Sequence, residues 1–562
     1  MNAISALGFC YEFGLGTCTN YSLAESAYVL AAEKGNVPLA QSRMSFLRKY
    51  GRPGLPIDKN EAEHWADTLA AHGSVGALSW LNRAAQNDLG AALYCLGVCY
   101  HDGLGCAKDE IKAFALYKRA ADQGLSRAFG ILGYCFGEGF GVEKDFSQSI
   151  FYYQKAVEDV SSPIDTVALF NLGCCYEDGS KGVPQDFEKA VYYYKLAADA
   201  GNAYAQSALG YFYEYGIGGL PVNTQQAVSL YRLAAEQGYP WAQSNLGYCY
   251  QQGIGLPKDA SLAVWWYAKA ATQGHPRALH NLGHCYQSGE GVPRDLEKAF
   301  LLFEKSAAQG HLFAFHSLGH CYQNGFGVLV NPSEAYSWYL KASECGHGPA
   351  QLSLAYCYKN GIGCEKNLQK CLHWFERAAQ NGVALAQNIM GSLCELGLHE
   401  TFIPKDARAA VEWYQKAAAQ DLSYAICNLG YCYERGNGIE QCYRTAFKLY
   451  ESAAFKGHSR AMDRLGLFYL EGRGTASDSE LATLWFKRSA QAGYALGMLH
   501  YGEALEEGSG VSQSTSEALQ WYQLAASKGR KEALDKLRIL LLKLSREDSG
   551  DIILYGHIAC AA

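Results

Sequence analysis

Histidines and cysteines at fixed spacings are the residues of this chain whose types could do chemistry. His280 and His284 stand four apart, and His316 and His320 repeat the pair at the same spacing further on. Four imidazoles at helical i,i+4 spacing could hold a metal ion, since neutral imidazole is a common zinc ligand. No obvious carboxylate partner accompanies them. Each lies two positions before or after a recurrent leucine, which is about 160° away from it on a helical wheel. The competing reading is therefore four solvent-facing imidazoles beside tyrosines. A second set, His275, His311, His347 and His458, follows a recurrent glycine, where a hydrogen bond to a helix start is the expected role.

Twenty cysteines suggest a disulfide or metal framework until they are placed in register. Cys10, Cys99, Cys135, Cys175, Cys249, Cys285, Cys321, Cys357 and Cys432 all follow the recurrent leucine slot by three. Equivalent residues of stacked repeats should lie roughly 10 Å apart. A disulfide needs Cα atoms within about 7 Å. Small buried residues at a tight helix contact are the expected role, and no disulfide is expected. Two pairs, Cys99–Cys106 and Cys357–Cys364, straddle their turns and could pair in an oxidising compartment. Free thiols fit a cytosolic protein.

Gly-x-Gly recurs, as in Gly103/Gly105 and Gly253/Gly255. A phosphate loop places its glycines after a strand and carries a third element. These follow a helix and lack it, so turns explain them. No Ser-x-x-Lys, His-Glu-x-x-His or Gly-x-Ser-x-Gly occurs. No catalytic residue, cofactor or enzyme activity is assigned. Net charge is −7 and the isoelectric point about 6.1, which argues against non-specific binding to nucleic acid or anionic membrane. No apolar run reaches the roughly 18 residues of a membrane-spanning helix. The nearest, Leu537 to Leu544, is short and contains Arg538 and Lys543. The chain opens on ISALGFCYEFGLG, which already has the repeat pattern, so no leader is read and a cytoplasmic protein is expected. A prenylation box needs its cysteine fourth from the end, and Cys560 is third.

The elements that position these residues are helical hairpins. The stretch Ala278 to Gly310 matches itself when shifted by 36 residues. Ala278, Leu282, Gly283, Cys285 and Tyr286 fall on one face of a first helix that Gly289 ends. Gly291 and Pro293 keep the turn short, and Asp295 caps a second helix. Ala299, Phe303, Ser306 and Ala307 share a face of that helix, and Gly310 ends it. One hairpin cannot bury its own face, so it needs neighbours. The leucine slot is occupied by Leu7, Met44, Leu96, Leu132, Leu172, Leu209, Leu246, Leu282, Leu318, Leu354, Met390, Leu429, Leu465 and Tyr501.

The departures from this period are expected on turns. Extra residues fall at Ser161 to Pro163, in the turn Gly179 to Gly182, and from His399 to Pro404. The interval from Met44 to Leu96 is too long, and residues 76–87 read as a second helix lacking its first. A stacking irregularity at 73–90 is therefore expected, with an ordinary loop as the alternative. The domain reading is a repeat array over 1–530, a capping helix over 531–546 and a mobile tail over 547–562.

The pattern A-x3-LG-x-CY-x2-G-x-G-V followed by D-x2-KA-x3-Y-x2-AA-x2-G resembles the Sel-one-like repeat (SLR), a branch of the tetratricopeptide superfamily. The resemblance covers residues 1 to about 530 and implies an all-α fold, a right-handed superhelical α/α solenoid of helix-turn-helix repeats. It implies a non-catalytic scaffold or adaptor. Relatives serve in ER-associated degradation, chitin-synthase activation and bacterial signalling or host interaction. Some secreted cysteine-rich relatives bind β-lactams. The chain departs from those groups in showing no leader or anchor, no prenyl box and no regular Cys pair in each repeat.

The slot two after the leucine holds Tyr134, Tyr211, Tyr248, His284, His320, Tyr356 and Tyr431. It points away from the hairpin core, and aromatic anchors dominate protein interfaces. This column, on the concave first-helix face, is the expected binding surface for a protein or peptide partner; packing between repeats is the alternative. Two other functions remain open: a hydrolase or small-ligand binder like the cysteine-rich relatives, and a metal-binding scaffold built on His280, His284, His316 and His320. No nucleic-acid partner and no membrane span are expected.

Overall fold

The computed structural model describes residues 1–15, 17–50, 55, 58–71, 75–104, 106–158, 165–179, 184–397 and 403–547. The expected tail beyond residue 547, the insertion Ser161 to Pro163, residues 180–182, residues 399–402 and residues 73–74 lie outside the described residues. The described residues form thirty helices, most of them thirteen residues long, arranged as successive antiparallel hairpins of an α-solenoid. The chain divides into two units, Met1–His311 and Leu312–Ala562.

A hairpin of the first unit shows why the sequence folds this way. The first helix, Pro276–Ser288, starts where His275 Nδ1 accepts from the Ala278 N–H at 3.3 Å, and it ends at Gly289 in the left-handed region. The second, Leu296–Ala308, starts where Asp295 Oδ1 accepts from the Lys298 N–H at 3.0 Å. Each side chain satisfies a backbone donor that the helix itself leaves unpaired. Between the helices, Gly291 at φ 75° passes so close to the preceding hairpin that a Cβ there would lie 2.2 Å from the Ala260 carbonyl oxygen. The turn therefore needs glycine both for conformation and for space.

The glycine after the leucine has a different reason. A Cβ on Gly283 would stand 2.6 Å from the Phe303 ring, and one on Gly319 the same distance from Tyr339. The second helix lays an aromatic ring across its own first helix at this point. Tyr231 and Tyr267 do so in the first unit, and Tyr414, Tyr450 and Tyr522 in the second, all buried. Each hydroxyl then takes a partner on the first helix. Tyr231 donates to Glu214 at 2.8 Å, Tyr267 to the Gln251 carbonyl at 2.9 Å and Tyr450 to Glu434 at 2.6 Å. This satisfies the polar end of a ring whose body is core.

At the start of the first unit the helix Asn2–Phe13 leaves Leu7 48 % exposed, whereas Leu96 and Leu132 are buried. Arg43 is buried there, ion-paired with buried Glu12, which also accepts from the Tyr28 hydroxyl at 2.8 Å. An extra helix, Val75–Gln86, stands between Lys59–Ala71 and Gly90–Asp102 and packs on the latter and on Pro38–Tyr50, with Leu81 and Ala85 buried. At the other end, Lys531–Glu547 lies on the helix Thr515–Ser527 with Ala533 and Leu540 buried. Lys536 and Lys543 pair with Glu503 at 3.0 Å and Glu506 at 3.2 Å.

Candidate functional site

Every first helix presents one face away from its own hairpin, and the side chains on it are set by slot. Residues two after the leucine reach solvent in both units: Tyr134, Tyr211, His284 and His320 are exposed, and Tyr248, Tyr356 and Tyr431 are half-buried. Seven residues earlier the helix has turned almost twice, so the slot five before the leucine shares that face. In the first unit it holds Tyr204 and Trp241, and in the second Phe313 and Tyr424. Trp241 is 51 % exposed and Tyr424 59 %. The sequence reading overlooked this second column, although the seven-residue spacing was available.

In the first unit the wall is aromatic and amide. Tyr211 meets Tyr215 with ring centroids 4.7 Å apart, and Tyr204 meets Tyr239 at 4.6 Å. Arg277 lies over Tyr248 at 5.6 Å and donates to the Asn245 carbonyl at 3.0 Å. Tyr134 stacks beside His101 at 6.1 Å. His280 and His284 do come together, their Nε2 atoms 3.1 Å apart, with His311 5.2 Å from His280 between ring centroids. In the second unit the other pair diverges. His316 Nε2 meets Ser353 Oγ at 3.2 Å, while His320 rests on Phe326 at 5.4 Å. Among the described residues no set of three or more His, Cys, Asp or Glu side chains is placed to hold a metal. Burial pushes His320 down, and burial with the neighbouring Arg277 does the same to His311.

Around Tyr431 the second unit's wall is cationic. The guanidiniums of Arg460, Arg435 and Arg464 lie 5.4, 5.7 and 5.8 Å from that ring. Tyr356 has a lighter version, with Lys359 at 5.8 Å and its ring edge-on to Phe375. His458 and His347 cap their helices through Nδ1, each accepting at 3.2 Å.

Cys99, Cys135, Cys249, Cys285, Cys321, Cys357 and Cys432, three after the leucine, are buried in the core. All described cysteines are free thiols. The Cys106 thiol donates to the Cys99 carbonyl at 3.4 Å rather than facing its sulfur. Burial pushes Cys135, Cys249, Cys321 and Cys357 up to about 12, far from a reactive thiolate at neutral pH. Among the described residues no helix is long and apolar enough to cross a membrane.

A family model described as Sel1 repeat matches residues 2–36, 38–74, 90–125, 131–159, 166–202, 203–239, 242–275, 276–311, 316–347, 348–383, 384–422, 423–458, 459–494 and 495–529. Most of the extra helix Val75–Gln86 falls between matches. No curated protein sequence matches the chain. Among solved structures, the chain is similar to c5321, a protective antigen present in uropathogenic Escherichia coli strains displaying an SLR fold. Identity is 30%, with 85% of this chain and 99% of that one covered at a TM-score of 0.54. A Sel1 repeat protein from Oxalobacter formigenes is 29% identical over 63% of this chain and 89% of that one, at a TM-score of 0.40. The APC/C hetero-tetramer Cut9–Hcn1 covers 90% of this chain and 99% of that one at 14% identity and a TM-score of 0.41.

Proposed function

Because the chain belongs to the Sel1 repeat family, we propose that it is a non-catalytic scaffold that binds protein or peptide partners along its first-helix walls. The observation that carries this is the exposure of large aromatics where the core does not need them. Trp241 and half-buried Tyr248 lie on one first helix, and exposed Tyr204, Tyr211 and Tyr215 share the first helix of the hairpin before it. Rigid aromatic rings with a polar tip supply contact area at small entropic loss, which suits an interface anchor. The neighbouring Asn245 and Arg277 offer hydrogen bonds to a peptide backbone. In contrast, these titratable groups are explained by fold: buried thiols are inert, and the capping histidines are consumed by backbone N–H groups.

The test is capture of partners from an extract of the source cells by the intact chain and by a Trp241→Ala/Tyr248→Ala variant. Both side chains lie on the wall, so thermal unfolding should change little. Loss of a captured protein with unfolding unchanged is the expected result. Retention of every captured protein would remove the first unit's wall as the binding surface. The cytoplasmic placement belongs to the same proposal and is checked by locating the tagged full chain in fractionated cells.

A further inference from the structure

We propose that the wall of the second unit around Tyr431 binds an acidic segment of a partner protein, with Arg435 and Arg460 pairing its carboxylates. This rests on the scaffold reading above and gives the partner its chemistry.

Helix geometry brings the patch together. Tyr431 and Arg435 are four apart on Ser423–Arg435, and Arg460 and Arg464 are four apart on the next first helix, Ser459–Glu471. Each pair therefore lies on one face. Tyr431 stands two after its leucine and Arg460 five before the next one, both outward slots, and the one tyrosine ring receives three guanidiniums within 6 Å. The nearby carboxylates do not balance this charge. Glu434 is buried and already shared: it accepts from Tyr450 at 2.6 Å and faces Arg464 at 3.5 Å and Arg473 at 3.7 Å. Glu471 pairs with Arg473. Asp463 is buried and bound to His500 at 2.7 Å. Among the described residues no carboxylate lies in ion-pair range of Arg435 or Arg460, and both guanidiniums rest over the Tyr431 ring. In a chain of net charge −7, two guanidiniums thus share one ring with no carboxylate of the described residues paired to either.

The chemistry selects the ligand. Guanidinium binds carboxylate through paired N–H donors and stays charged at any working pH. A tyrosine ring beneath them holds the two side chains in place by cation–π attraction, lowering the entropy lost when an anion arrives. Tyr424, exposed on the same helix and edge-on to His458 at 4.8 Å, offers an apolar contact beside the charges. An extended segment with Asp or Glu flanking an apolar residue satisfies both features. A nucleic acid would need a longer run of cations to neutralise successive phosphates.

The experiment titrates a short fluorescein-labelled peptide of alternating Glu and Ala, blocked at both ends, into the purified full chain at low salt, with anisotropy as the readout. The same peptide with Gln for Glu and a labelled oligothymidylate are run alongside. Arg435→Gln/Arg460→Gln should weaken the Glu peptide about tenfold or more, the scale of losing a charge-assisted pair. Arg435→Lys/Arg460→Lys should keep only part of the binding, since an ammonium retains the charge but loses the paired donors. The Gln peptide should bind as poorly as the Gln variant binds the Glu peptide. If the double Gln variant fails to fold, Arg435→Gln alone, on an exposed side chain, gives the same reading with a smaller loss. No binding of the Glu peptide to the folded wild-type chain overturns the proposal. So does binding that the variants leave unchanged, or an oligothymidylate that binds as tightly and displaces the peptide. Any of these outcomes with the first unit's capture result intact removes the acidic ligand and leaves the scaffold reading standing.

Discussion

The wall around Tyr248 in the first unit and the wall around Tyr431 in the second use the same slots of the same hairpin, yet they offer a partner different chemistry. Around Tyr248 the neighbours are Trp241, Asn245 and Arg277, and that arginine is tied to the asparagine carbonyl at 3.0 Å. Around Tyr431 they are three arginines, two of them without a carboxylate. The frame beneath is the same in both: a ring from the second helix across a glycine of the first. A repeat therefore separates two tasks. Slots that face a neighbouring helix are constrained by packing, and slots that face outward are free to vary.

The largest expected difference between the units lies under those walls. Glu214 and Glu434 occupy the same slot, and each accepts from a buried tyrosine hydroxyl. Only Glu434 also faces two arginines. Glu434→Ala should lower stability by about 3 kcal/mol, because it strands cations around a buried site. Glu214→Ala should lower it by about 1 kcal/mol, the loss of a single hydrogen bond. Denaturant unfolding of the two variants measures the gap, and equal losses would dissolve the contrast.

Next in size, Gly283→Val and Gly319→Val should each cost about 2 kcal/mol, since both place a side chain against a ring that has no room to retreat. Here the units should behave alike. One hairpin already carries Ala355 in this slot, opposite Phe375 rather than a tyrosine. Valine is therefore the sharper probe. A neutral result in one unit alone would show that the frame is not shared.

The last difference is one of sign: the pH dependence of stability runs in opposite directions in the two units. In the first, burial together with Arg277 and His311 pushes His275 from 6.5 down to about 4, so its neutral Nδ1 caps the helix. The unfolded chain binds that proton first. The stabilisation is present above the ordinary value and is lost as pH falls from about 6.5 towards about 4. In the second, burial pushes His500 down, but the hydrogen bond and charge of Asp463 outweigh it and raise it above 6.5. Its stabilisation is present below the ordinary value and is lost as pH rises through the raised one. Hydrogen exchange of Pro276–Ser288 and Ala495–Glu507 across this range, corrected for intrinsic rates, should therefore move in opposite directions. Parallel changes would refute the assignment of either histidine.

The wall proposed to bind a partner was only half legible in the chain. The column two after the leucine was readable because one slot repeats tyrosine and histidine. The column five before it was not, because Tyr204, Trp241, Arg277 and Phe313 share no residue type, only a spacing. The histidines show the opposite case. Two pairs identical in sequence spacing become a close pair at His280/His284 and, at His316 and His320, two separate contacts with Ser353 and Phe326.

The sequence by itself determined the period, the helix ends and the family, because caps, turn glycines and apolar spacing are local properties of a helix and repeat visibly. Only the tertiary structure decided what each slot meets. Gly283 is needed because Phe303 folds across it. Arg460 reaches Tyr431 because stacking brings consecutive first helices side by side. These are contacts between residues far apart in the chain, set by how one hairpin packs on the next, and no local pattern encodes them.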